Sequence, residues 1–175
     1  MNFAMIDPPH PASLPEKKFL EQCDLQTGRG HGPGGQHRNK VETAVSITHR
    51  PTALVANAQE RRSQYENRKE AIRRLRQALA RKVRTNVKPH HYRPSSLWEK
   101  RRTGRAVPVN AKHVDYPALL AESLDLINAC HFDVAQAAGQ LGVSMSQLAK
   151  LIKNDRHAMV LVNEGRTQRG LRALK

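Results

Sequence analysis

Between Glu60 and about Arg84, the apolar residues Ala71, Ile72, Leu75, Ala78, Leu79 and Val83 recur at helical spacing. A stripe of this length commits the segment to one amphipathic helix, which must bury that stripe against other structure. The preceding residues supply a partner. Val41, Thr43, Val45 and Ile47 alternate with Glu42, Ala44, Ser46 and Thr48, the pattern of a half-buried strand. Cys23–Arg29 and Ala53–Ala58 are strand-like too, and Arg50-Pro51-Thr52 reads as the turn into the last strand. A proline and an acid open a short helix over Pro15–Leu20. The expectation is an α+β fold: a small mixed or antiparallel sheet and a long basic helix.

The chain has 175 residues, room for one domain and a small second one. The expected division is a disordered lead-in over 1–15, the α+β domain over 16–85, a basic linker over 86–114 and a helical domain over 115–175. The lead-in is proline-rich and has the pattern of neither a signal peptide nor a transit peptide. Pro89, Pro94, Gly104 and Pro108 interrupt any periodicity in the linker, and Trp98 within it reads as a packing anchor. Beyond it, helices are expected over Pro117–Cys130, Asp133–Leu141 and from a Ser144 cap to about Asn154. Ser144 and Gln147 fit a capping box, and Ala138, Gly142, Leu148 and Leu151 suit a small all-α, helix-turn-helix-like unit.

The net charge of +15 favours a polyanionic partner through phosphate contacts and counterion release. Aromatic residues are only 4%, too few for a base-stacking platform. No apolar run is long enough for a membrane span, and no lipidation signal is present, so a membrane partner is not expected. Cys23 and Cys130 have no metal spacing and read as reduced, buried and chemically quiet, suiting a cytoplasmic protein. His90-His91 lacks further ligands at suitable spacing, so neither a metal nor a cofactor is expected.

Between the first two strand segments runs Gly30-His31-Gly32-Pro33-Gly34-Gly35-Gln36-His37-Arg38-Asn39-Lys40. Gly34 and Gly35 permit positive φ and close approach to a ligand, and Gln36 places an amide and a backbone N–H at the tip. No Gly-Lys-Ser/Thr follows, and Pro33 removes a donor from any phosphate nest, so this is not a nucleotide loop. The run Gly32–Lys40, then Thr43-Ala44-Val45, Thr48-His49-Arg50-Pro51-Thr52, Gln59-Glu60-Arg61-Arg62-Ser63-Gln64, Asn67-Arg68-Lys69-Glu70-Ala71 and Leu75 resembles the catalytic domain of class-I peptide chain release factors and their ribosome-rescue relatives. The resemblance covers Asp24–Leu79. His31, Ser46 and Ala53 depart from it, standing where serine, arginine and glycine are usual.

The resemblance implies hydrolysis of the ester joining a nascent peptide to tRNA, in the ribosome's peptidyl-transferase centre. Gly34, Gly35 and Gln36 are then the catalytic residues, with the Gln36 backbone N–H as the oxyanion donor. Arg29, His37, Arg38, Asn39, Lys40, Arg61, Arg62, Gln64, Arg68 and Arg73 are the candidate RNA-binding residues. Arg101, Arg102 and Arg105 in the linker and Arg166, Arg169 and Arg172 at the C-terminal end are candidate ribosome contacts. The implied partners are the ribosome with its large-subunit rRNA and peptidyl-tRNA, engaged by a monomer; the C-terminal domain is a candidate for the mRNA channel or a ribosomal protein. Stop-codon readers carry a separate and larger recognition domain, so codon-independent rescue is expected. Two rival classes stay open: a non-catalytic basic RNA- or ribosome-binding protein, and a DNA-binding regulator acting through the helix-turn-helix-like unit.

Overall fold

A computed structural model of the chain describes residues 3–29 and 42–175. The Gly34-Gly35-Gln36 triplet and the flanking His37, Arg38, Asn39 and Lys40 lie outside the described residues. In chain order the elements are β1 (Ala4–Ile6), α1 (Glu16–Leu20), β2 (Cys23–Gly28), β3 (Ala44–His49), β4 (Leu54–Ala58), α2 (Gln64–Lys82) and β5 (Val83–Thr85). They continue with α3 (Ser96–Arg101), α4 (Tyr116–Ala129), α5 (Val134–Gln140), α6 (Met145–Lys153) and α7 (Arg156–Thr167). The fold is α+β, as expected. It divides into two compact units, Leu14–Leu79 and Met1–Ser13 with Ala80–Lys175.

In the unit Leu14–Leu79, β2, β3 and β4 form an antiparallel sheet in sequence order. Val45 faces Ala58 across the ladder and Ile47 faces Ala56. All four are buried, which is the period-2 pattern carried through two strands. From α2 this unit buries Ala71, Ile72, Leu75 and Leu79, so the apolar stripe has the role its spacing predicts. Arg50 closes the strand ends: it donates to the Asp24 carboxylate at 2.8 Å, to the Cys23 carbonyl at 3.2 Å and to the Glu21 carbonyl.

The other unit begins where disorder was expected. β1 pairs in parallel with β5, Ala4 opposite Val83 and Ile6 opposite Thr85. His10 is buried, and its Nδ1 accepts the Ala12 N–H, which leaves Nε2 to face the Val83 carbonyl at 3.3 Å. This pairing draws the backbone out of the helix after Lys82. Val83, expected on the helical stripe, is therefore a strand residue. Arg84, expected on the charged helix surface, is completely buried and donates to the carbonyls of Ala80, Arg81 and Val83. It caps the last turn of α2 from inside, where orphan carbonyls need donors.

The segment 86–114, expected as a basic linker, is packed. Ser95 caps α3 by accepting the Trp98 N–H, and Glu122 of α4 accepts from Ser95 N–H, Ser95 Oγ and Tyr92 Oη at 2.6–2.7 Å. Trp98 is fully buried with its indole N–H on the Leu141 carbonyl at 2.9 Å. Prolines break periodicity without preventing burial, so periodicity alone concealed the packing. Around Trp98 the core collects Tyr116, Leu119, Leu120, Leu124, Ile127, Phe132, Leu141, Leu148 and Ile152 among others.

Asp133, Ser144 and Asp155 cap α5, α6 and α7 through backbone N–H groups two or three residues on. α5 ends in a Schellman motif: Val143 N–H reaches the Ala138 carbonyl, Gly142 N–H reaches Gly139, and Gly142 adopts φ +66°. After α7 the chain folds back. Asn163 brackets Leu174 through its N–H and carbonyl, and Arg166 holds the Arg172 carbonyl at 2.7 Å.

Candidate functional site

The strands that flank the glycine-rich run are paired to their ends, with Gly28 opposite Ala44 as the last pair. Residues 29–43 therefore connect two adjacent antiparallel strands, and their roots are one ladder spacing apart. On the exit side, the Glu42 carbonyl accepts from Gln64 Nε2 at 2.8 Å, and the Thr43 carbonyl accepts from Asn67 Nδ2 at 2.7 Å. Asn67 is completely buried. It also donates to the Arg61 carbonyl and accepts the Arg61 N–H, both at 2.9 Å. One amide thus ties the root of the run to the chain entering α2, with both amide protons and one oxygen lone pair satisfied.

This clasp sorts the cations around it. Arg61 and Arg62 precede α2, Arg68 lies one turn into it, and all three are exposed without an ion pair among the described residues. Arg73 was expected to meet RNA, but it is engaged by Glu70 at 2.6 and 2.9 Å and by Gln77 at 2.9 Å. Arg74 bridges Glu60, Glu70 and the Asn57 carbonyl at 2.7–2.9 Å. Hydrogen bonds from Arg74 to Glu60 and from Arg73 to Glu70 hold both carboxyls below the usual range. Gln64, another expected RNA contact, directs its amide to Glu42, and Arg29 is exposed just beyond the end of β2.

Asn67, Glu60 and Arg74 are positioning residues that the sequence reading did not single out for a role. A signal for Asn67 existed: positions 67, 71, 75 and 79 continue one helical line, so Asn67 is an amide on an apolar stripe. A polar residue there must be buried and hydrogen-bonded.

The C-terminal candidates divide in the same way. Arg101 is paired with Asp115 at 2.5 Å and Arg102 with Glu99 at 2.8 Å. Arg166 is buried, and its guanidinium donates to the carbonyls of Phe132 and Arg172. Arg169 lies over the Phe132 ring at 4.5 Å, and Arg105 and Arg172 are exposed. Cys130 is buried and Cys23 half-buried, and burial pushes the Cys23 thiol up to about 11.

Comparison with known proteins matches the sequence to a family. A family model described as RF-1 domain matches residues 19–112. The match contains the resemblance read over Asp24–Leu79 and extends it through α3 and Trp98. The chain is 49% identical over 74 residues to peptide chain release factor 1 of Caldicellulosiruptor saccharolyticus, covering 39% of this chain and 21% of that protein. It is 45% identical over 69 residues to peptide chain release factor 1 of Chlamydia abortus, covering 38% and 19%. It is 49% identical over 59 residues to the Thermotoga maritima protein of the same name, covering 34% and 17%. The chain spans about a fifth of the length of these relatives. Because residues 19–112 make up more than half of its 175 residues, the chain belongs to the RF-1 domain family.

Proposed function

We propose that this protein hydrolyses the peptidyl-tRNA ester on the ribosome and releases nascent peptide from stalled complexes without reading a stop codon. The observation that carries this reading is the Gly-Gly-Gln run standing within the family segment 19–112, on strand roots clasped by Asn67. The relatives are named as peptide chain release factors. In the proposed step, water attacks the ester carbonyl carbon, the bond to the tRNA 3′ oxygen breaks, and that oxygen takes up a proton. The products are a free peptide carboxylate and deacylated tRNA. The backbone N–H of Gln36 stabilises the oxyanion that forms, while Gly34 and Gly35 allow close approach. Arg29, His37, Arg38, Asn39 and Lys40, with the exposed Arg61, Arg62 and Arg68, contact RNA phosphates.

The test is peptide release from ribosomes carrying peptidyl-tRNA. Replacing the Gln36 side chain alone preserves the backbone donor, so Gln36→Ala is expected to lower release less than Gln36→Pro, which removes the N–H and costs about 10²–10³-fold. Release by wild type no greater than by Gln36→Pro would overturn the hydrolase reading. Ribosomes on a truncated message are expected to be better substrates than ribosomes paused at a stop codon, and the reverse order would overturn codon independence.

A further inference from the structure

Tertiary contacts engage several cations of the unit Met1–Ser13 with Ala80–Lys175, and among those left exposed one group stands on a stretch without exposed carboxylates. Arg81 is paired with Asp155, Arg84 lies beside Asp125, Arg101 pairs with Asp115, and Arg166 is buried on carbonyls. Lys150 and Lys153 on α6, Arg156 at the start of α7, and Arg105 are exposed and form no ion pair among the described residues. Between Val134 and His157 the only acid is Asp155. It is buried, caps α7 through the Ala158 N–H and holds Arg81 at 2.8 Å, so this stretch shows no exposed carboxylate.

Local contacts bring these cations together. α6 buries Leu148, Leu151 and Ile152 and leaves Ser146, Lys150 and Lys153 on its outer side, at the spacing of one helical line. The Ser144 N–H donates to the Arg105 carbonyl at 3.0 Å, which fixes Arg105 beside the turn that starts α6. The Arg102 side chain, paired with Glu99, lies 3.7 Å from the Cβ position of Gly142 in the same turn and is not one of the free cations.

We infer that the outer side of α6, with Arg105 and Arg156, is a docking surface for the sugar–phosphate backbone of an RNA helix. The surface offers point charges and hydroxyls, the groups that hold phosphates. Apart from the cations it is poor in base-reading groups: Asn154 directs its Nδ2 to the Val109 carbonyl, and Gln147 is half-buried. Charge without readout suits an A-form duplex, which proteins recognise by shape and by phosphate and 2′-OH contacts. The choice of RNA over DNA rests on the proposed ribosomal role; the charged surface itself does not. Helices α4–α7 lie beyond the family segment, so the surface adds to the function proposed for that segment.

The test uses the full chain and labelled RNA and DNA duplexes of one sequence, titrated across a range of salt. Lys150→Glu/Lys153→Glu is compared with Lys17→Glu/Lys18→Glu, an equal change of charge at exposed positions of α1. The α6 variant is expected to weaken RNA-duplex binding about tenfold at moderate salt and to make the log–log salt slope shallower by roughly 1.8, two phosphate contacts. The α1 variant is expected to change affinity by less than about twofold. Equal losses in the two variants, tighter binding to the DNA duplex, or competition by polyglutamate as strong as by unlabelled RNA would each overturn the inference. Circular dichroism of the α6 variant confirms that its helices are intact. Binding is read without peptide release, so failure of the hydrolase reading would not mimic failure of this one.

Discussion

Ala53 adopts φ +54° at the end of the Arg50–Thr52 turn, a left-handed conformation that costs a non-glycine residue about 1 kcal/mol. Glycine is usual there in the family that the sequence resembles. Ala53→Gly is expected to stabilise the unit Leu14–Leu79 by up to about 0.5 kcal/mol in denaturant titration, since strain relief slightly exceeds the added freedom of the unfolded chain. Gly165 presents the opposite case. A Cβ there would sit 2.2–2.6 Å from three atoms of the buried Phe132 ring. His131 and Phe132 both have positive φ, and Phe132 is further held by Arg169. The ring therefore has little room to yield, and Gly165→Ala is expected to cost about 1–3 kcal/mol, read from Trp98 fluorescence during unfolding. Asn67→Ala orphans the carbonyls of Thr43 and Arg61 and the Arg61 N–H, a loss of about 3 kcal/mol. The same variant is expected to reduce Gln36-dependent release, because the root of the run is no longer tied to α2.

At the scale of elements, α2 was legible because its period is a local property. The helix runs Gln64–Lys82, inside the predicted Glu60–Arg84, and both ends are trimmed by tertiary contacts. At its start the Arg61 backbone is held by Asn67, and at its end β1 captures Val83–Thr85. The helices expected over 117–130, 133–141 and 144–154 appear as α4, α5 and α6, because capping residues and Gly142 mark their boundaries in sequence. The charges on α2 also confer a pH dependence. Glu70 has its carboxyl held low by Arg73 and then Arg74. A depressed folded-state value means stability that is present above the unfolded value and lost as pH falls through the folded one. The unit Leu14–Leu79 is therefore expected to weaken in acid below about pH 4, the ordinary glutamate range, and Glu70→Gln to reduce that dependence. Hydrogen exchange of α2 amides across pH is the measurement.

At the scale of the whole molecule, the other unit contains a carboxyl shifted the other way. Asp125 is buried beside Arg84 and accepts from Thr85 Oγ1 at 2.5 Å, and burial raises it to about 6. A raised folded-state value means that this group's contribution is fully present below about pH 4 and lost as pH rises through about 6. Asp125→Asn removes that dependence, so the stability of the variant relative to wild type is expected to improve by up to about 3 kcal/mol between pH 4 and pH 7. Trp98, the only tryptophan, lies in the same unit as Asp125 and reports its unfolding. Periodicity, caps and the Gly-Gly-Gln run determined the α+β class, the helices and the family, because each is written within a few consecutive residues. What only the tertiary structure decided is which polar groups are committed and which are free. Arg84 is buried, Arg73 and Arg166 are engaged, and Lys150 and Lys153 stand open, because pairing depends on carbonyls and carboxylates brought within about 3 Å from distant parts of the chain.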